Sequence, residues 1–256
     1  MSKFVPFLAG REVISPIILD GASHTSLSRL MECISKSSLL KKHELYIRNL
    51  PVIIAIKNIN TILIDDHTIL TPVLSSDELV RRLGYRNNMS RRHFVLSRLI
   101  VRTFASKILN LSPDQIPIVI GSRGKPSIPN SYLKFNISHS GDVVMVAFHC
   151  FQDVGVDIEV VDYQLHWEAI ALDLYSKKDW FNVQRLPRKQ QLLYFYQLWT
   201  TFESAVKTIG IGLSFLDEIK LGSISTALDT LENNHDFINY DINSLDGYVG
   251  CCSVVV

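Results

Sequence analysis

The chain has 256 residues, of which 47% are hydrophobic and 20% charged, with a formal net charge of +1. That is the composition of a packed protein, not of a disordered one, and the length suits one large domain or two halves of roughly 100–130 residues. A near-neutral total excludes a global basic field for nucleic acid, so any electrostatic specificity must be local.

Residues 1–10 hold one lysine and no long apolar core, and no apolar run approaches the roughly 18 residues of a spanning helix. Neither a signal peptide nor a membrane anchor is therefore expected. The four cysteines, Cys33, Cys150, Cys251 and Cys252, form no CxxC pair, and the last two are adjacent. That spacing favours a reduced, cytoplasmic compartment.

Residues 25–49 read as a helix and a polar link. The stretch 51–64, rich in Ile and Val, reads as strand material with a turn at 57–60. Ser75, Ser76, Asp77 and Glu78 look like a capped helix start within 71–83. The pattern over 90–109 is helical. Phe94, Leu96, Ile100, Phe104 and Leu109 supply an apolar stripe, while Arg91, Arg98 and Arg102 share one face. A short strand at 116–120 and a Gly/Pro loop at 121–130 follow. Strands are expected at 133–137, 143–148 and 154–160, the first two joined by a 138–142 turn. Helices are expected at 166–182 and 189–209, with Gly210 and Gly212 ending the second, and a strand closes the chain over 248–256. Strand and helix mix without a βαβ rhythm, so the fold class is α+β (mixed α/β). A boundary near 110–120 divides it into an N-terminal half, 1–115, and a C-terminal half, 116–256.

Five stretches could carry chemistry. In Gly155-Val156-Asp157-Ile158-Glu159 the two acids are two apart, so on a strand they share a face. Paired carboxylates repel unless a cation or proton lies between them, and a hard divalent ion fits; a solvated strand face is the plainer alternative. Glu203 and Lys207 are four apart on one helix. They form either a surface ion pair worth a few tenths of a kcal/mol or a metal ligand beside a phosphate contact. The stretch Phe135-Asn136-Ile137-Ser138-His139-Ser140-Gly141 runs a strand into a polar turn. It lacks the GxSxG elbow of a serine hydrolase and is equally well a hairpin. Gly124-Lys125-Pro126 lets a backbone approach a ligand and offers a lysine to a phosphate, but it is not a P-loop. Arginines 81, 82, 86, 91, 92, 98 and 102 are either a solvated face or the lining of a polyphosphate pocket.

In their order and spacing these pieces resemble one family, the surfactin-type phosphopantetheinyl transferases: an arginine-bearing helix, GKP, FNISHSG, GVDIE, then W-x-x-x-E-S/A-x-x-K-x-x-G-x-G-L, here WTTFESAVKTIGIGL over 199–213. The resemblance is firm over about residues 90–215. It implies two pseudo-symmetric α/β halves with the active site in the cleft between them. It further implies Mg2+ held by Asp157, Glu159 and Glu203, and Lys207 on the diphosphate of coenzyme A. Lys125, Ser138 and His139 would hold the 3′-phosphate, with Arg102 and one of Arg91 or Arg92 at the nucleotide. The implied reaction moves the 4′-phosphopantetheine arm to a serine of an apo acyl or peptidyl carrier protein. The serine attacks the β-phosphorus and adenosine 3′,5′-bisphosphate leaves. Catalysis falls to Glu203 and Lys207, with Glu203 or a water on the metal taking the serine proton.

One departure stands out. The family usually has Lys immediately before the helix glutamate, where this chain has Phe202. A hydrophobic residue there would offer a different surface to a carrier. It also motivates one alternative, a weak or inactive homologue that only binds coenzyme A or a carrier; separately, the same acids could serve a metal-dependent phosphoester hydrolase. A monomer is expected, because one chain holds both halves.

Overall fold

The structure, a computed structural model, describes residues 12–20, 32, 50–211, 224–242 and 245–256. The helix expected within 25–49, Cys33 and Gly212 lie outside them. In chain order the elements begin with β1 (Glu12–Ile14), β2 (Ile17–Asp20) and β3 (Val52–Lys57), followed by α1 (His67–Leu70), α2 (Ser76–Arg81) and α3 (Asn88–Leu109). Next come β4 (Val119–Ile120), β5 (Pro126–Ser127), β6 (Leu133–Ser140), β7 (Val143–Cys150) and β8 (Val154–Val160). The remainder is α4 (Trp167–Leu174), α5 (Lys177–Gln184), α6 (Arg188–Ile209), α7 (Ile224–Asn234), β9 (Phe237–Ile242) and β10 (Tyr248–Val255). The architecture is mixed α+β, as expected. No helix among the described residues is long and apolar enough to cross a membrane.

The contacts divide the chain into two compact units, Pro16–Phe151 and Met1–Ser15 with Gln152–Val256. The expected boundary near residue 115 therefore falls inside the first unit. The reason is strand pairing that local pattern does not reveal: β7 is antiparallel to β3, and the sheet order is β2-β3-β7-β6.

In the first unit α3 packs on β6 and β7. Phe104 stacks on Phe148 at 4.1 Å, and Val95, Leu99, Ile100 and Val101 are buried in the same core. Asn87 caps the helix through the amides of Met89 and Ser90, and Asn110 ends it in the left-handed region. The capped start at Ser75 is present, with Glu78 completing a reciprocal capping box. The β6–β7 hairpin is tighter than expected. Gly141, with φ 51, takes the first central position of a two-residue turn, so Ser138, His139 and Ser140 lie in the strand. The strand expected over 116–120 shrinks to Val119–Ile120.

In the second unit the sheet order is β1-β9-β10-β8, and α6 lies along β8 and β10. The single helix expected over 166–182 is two. Tyr175 is extended, and Ser176 starts a new helix with its own capping box through Asp179. Gly210, φ 72, ends α6 as expected. The seam between α6 and the sheet is polar. Ser204 Oγ is 2.6 Å from Ser253 Oγ, Thr208 donates to the Ser253 carbonyl at 3.1 Å, and Gln197 donates to Asp241 at 2.7 Å.

Such close packing needs Gly155. A Cβ built there would lie 2.1 Å from the Ser204 carbonyl oxygen and 2.5 Å from the Thr208 amide nitrogen. Backbone atoms cannot step aside as a flexible side chain can. Gly155→Ala should therefore destabilise the protein by roughly 3 kcal/mol, read as a lower midpoint in urea unfolding.

Candidate active site

Alternation on β8 puts Gly155, Asp157 and Glu159 on one face and Val156 and Ile158 on the other. The clash that a Gly155 side chain would make identifies the first face as the one toward α6. Val156 and Ile158 are buried, as expected. Asp157 is also buried, at 1% exposure, so it is no solvated strand carboxylate.

Opposite it, α6 presents Glu203 and Lys207, one turn apart. Lys207 Nζ donates to Asp157 Oδ1 at 2.5 Å and lies 3.2 Å from Glu203 Oε2. The i,i+4 pair is thus part of a three-residue ion cluster joining strand to helix. Burial pushes the Glu203 carboxyl above the ordinary carboxylate range. Asp157's negative charge adds to that push and Lys207 opposes it. For Lys207, burial works against the ammonium, but the two carboxylates outweigh it and hold its pKa above the usual lysine value. Glu159, half-buried, extends the acidic face toward Tyr196, whose hydroxyl accepts from the Asp162 amide at 3.1 Å.

Among the described residues no group of three or more His, Cys, Asp or Glu side chains is gathered as a metal site. Asp157 and Glu203 instead share the Lys207 ammonium. The donor chemistry nevertheless suits a hard divalent ion: the acids offer only oxygen, and two of them already share one cation.

The residues expected at the nucleotide lie in the Pro16–Phe151 unit. His139, exposed near the end of β6, lines a cavity of about 340 Å3 with His93, Phe94, Ser97, Arg98 and Ile137. Its ring stacks on His93 with centroids 4.2 Å apart and planes 6° apart. Ser138 is buried, and as His139's neighbour on the strand it points to the opposite face. The structure therefore does not bring these two side chains to one side. Lys125 is half-buried in the turn before β5; its carbonyl accepts from Gly121, and Gly124 beside it has φ 84.

Arg102 has a different task from the one expected. At 2% exposure, its Nε donates to Glu78 Oε2 at 2.5 Å, and its Nη1 donates to the carbonyls of Pro113, Asp114 and Ile116 at 2.7, 3.2 and 3.0 Å. It ties α3 to α2 and to the turn that follows α3. Arg92 is likewise taken by the carbonyls of Ile59 and Ile62, and Arg91 by Asp65 and Asn88. The residue that sequence reasoning passed over is Arg98. Its Nε lies 3.0 Å from Glu78 Oε1, while its Nη1 is buried without a hydrogen-bond partner at the cavity. Burial lowers its pKa from the ordinary arginine value, and Glu78 opposes that shift. The signal was the shared face of Arg91, Arg98 and Arg102; the missing fact was that a single carboxylate serves two of them.

Phe202 is fully buried in the core cluster of Trp167, Phe195, Leu198 and Val206. It cannot meet a carrier, which corrects the expectation of a hydrophobic docking surface. One residue before Glu203 means about 100° around the helix, enough to turn it into the core.

Two family models match the chain: "4'-phosphopantetheinyl transferase, N-terminal" over residues 64–151 and "4'-phosphopantetheinyl transferase superfamily" over residues 153–249. Among curated relatives, the 4'-phosphopantetheinyl transferase HetI of Nostoc is 30% identical over 161 residues, 61% of this chain and 68% of the relative. The 4'-phosphopantetheinyl transferase Sfp of Bacillus subtilis is 35% identical over 142 residues, 54% of this chain and 59% of the relative. AcpT of Escherichia coli K12 is 34% identical over 110 residues, 43% and 55% respectively. Apart from HetI, these matches span little more than half of the relative's length.

Two outcomes follow from the ion cluster and its neighbour. Lys207→Met leaves two buried carboxylates without their ammonium and should cost on the order of 2 kcal/mol at neutral pH. Because burial raises Glu203's pKa in the folded state, the folded protein takes up that proton at a higher pH than the unfolded chain does. The loss should therefore shrink as pH falls through that raised value, which denaturant unfolding across a pH series would reveal. Phe202→Lys, which restores the family's usual residue, puts an uncompensated ammonium into the core. It should cost at least about 3 kcal/mol, measured by thermal unfolding.

Proposed function

The chain belongs to the 4′-phosphopantetheinyl transferase superfamily, and from that premise we propose that it transfers the 4′-phosphopantetheine arm of coenzyme A to a serine of an apo acyl or peptidyl carrier protein, with Mg2+, releasing adenosine 3′,5′-bisphosphate. The observation that carries the proposal is the Asp157–Lys207–Glu203 cluster, which lies inside the matched span 153–249.

In this reading Asp157, Glu159 and Glu203 hold Mg2+, which when bound would neutralise charge on the diphosphate of coenzyme A. Lys207, already poised between carboxylates, stabilises charge on the leaving phosphate oxygen. Its raised pKa keeps it an ammonium throughout the physiological range. The nucleophile is the carrier's serine oxygen, so this chain need supply none. Glu203 takes the serine proton; burial raises its pKa toward the range in which a carboxylate is a useful base. His139 and Lys125 serve the 3′-phosphate end, while Ser138 faces the other side of the strand, and Arg98 replaces Arg102 as the guanidinium at the nucleotide. The protein would act as a cytoplasmic monomer without nucleic acid or membrane. Phe202 has a core-packing reason to be apolar, so its departure from the family pattern does not by itself favour a homologue that only binds.

Incubating the protein with Mg2+, coenzyme A and a panel of apo carriers should add one phosphopantetheine to a carrier, seen by intact-mass spectrometry. Asp157→Ala and Glu203→Ala should each abolish the adduct while circular dichroism stays native. Full activity in either variant would remove the metal assignment. Release of phosphopantetheine without any carrier would favour a hydrolase instead.

A further inference from the structure

We infer that His93 is a positioning residue: it holds the His139 ring in place, and through it sets the preference for coenzyme A over the analogue lacking the 3′-phosphate. The inference rests on the role given above to His139.

The two rings are nearly coplanar in orientation, 6° apart, at a centroid distance of 4.2 Å. They come from different elements, His93 from the first turns of α3 and His139 from the end of β6. His139 is exposed beside the β6–β7 turn, and the stack on His93 restricts its rotamer choice. His93 is itself fixed. Its Nε2 lies 3.1 Å from the Gly141 carbonyl oxygen, which only accepts, so Nε2 carries the proton. The next residue, Phe94, is buried and anchors the helix in the core.

A hydrogen bond to the turn and a stack on the strand thus clamp both sides of the hairpin end against α3. Burial lowers the pKa of His93, with the Gly141 bond and Asp142 opposing. Both imidazoles line the cavity that Arg98 also reaches.

The test compares coenzyme A with 3′-dephospho-coenzyme A in steady-state transfer to one apo carrier, for wild type, His139→Ala, His93→Ala and His93→Phe. His93→Ala should raise KM for coenzyme A about three- to tenfold, as expected for loss of one ring stack. It should leave kcat and the dephospho KM nearly unchanged, so the preference collapses. His93→Phe keeps a ring to stack on and should restore most of the preference. Thermal unfolding confirms that each variant is folded.

If His93→Ala retains the wild-type preference, or raises both KM values equally, the inference is wrong. The same holds if Phe fails to rescue. If His139→Ala itself keeps the preference, the role of His139 falls and the inference falls with it. A loss in His139→Ala without one in His93→Ala overturns the positioning role alone.

Discussion

The ammonium of Lys207 between the carboxylates of Asp157 and Glu203 is the interaction that organises the second unit's acidic face. It joins a strand to a helix at a point where both are buried, and it exists only because α6 approaches β8 closely enough for backbone to meet backbone at Gly155. Register extends the theme. Asp157 lies opposite Cys251, which lies opposite Asp241, and Gly155 opposite Ser253, which lies opposite Asn239. The sheet face under α6 is therefore lined with acids, hydroxyls and an amide, matched by Gln197, Ser204 and Thr208 on the helix. A buried ion cluster of this kind is weak evidence for stability, since desolvation opposes the attraction. What it does secure is geometry: the carboxylates stay close together without an external cation.

The first unit holds an arrangement of opposite sign. There a single carboxylate, Glu78, serves Arg98 and Arg102, while the guanidiniums of Arg81 and Arg98 lie 5.1 and 5.5 Å from the Phe94 ring. One acid cannot neutralise three guanidiniums, and of the three Arg98 lines the cavity beside His139. An acid-rich set with one lysine and an arginine-rich set with one acid cancel in the total, which is why a net charge of +1 conceals both. Charge specificity in this protein is local, and composition alone could only say where not to look.

What could be read in advance was whatever local periodicity encodes. The strand alternation of 155–159, the helical spacing of Glu203 and Lys207 and the capping signal at Ser75 are each contained within a few residues, and each is present. What could not be read was the identity of distant partners. Arg102 looks the same in sequence whether it meets a nucleotide or Glu78, and only the fold brings that carboxylate across 24 positions. The place where the contacts divide the chain was hidden for the same reason, because β7 pairs with β3 far upstream. The break between α4 and α5 was different: Ser176 and Asp179 are a legible capping pair, hidden by apolar spacing that runs through it.

Phe202 shows how one helical position decides what a family departure means. Glu203 and Lys207 are aimed at β8, and the preceding residue is turned by about 100° into the apolar cluster around Trp167. A lysine in its place would have to snorkel out of that cluster to reach any phosphate, so in this chain Lys207 is left as the cation of the acidic face. Three carboxylates against one ammonium leave that face net negative, a balance that a divalent cation would restore to neutrality. In the proposed reaction, carboxylates shared with that cation would have less need of Lys207, whose ammonium would become available to a phosphate. The same side chain that holds the acids together in the free protein would, in that reaction, stabilise developing charge during transfer.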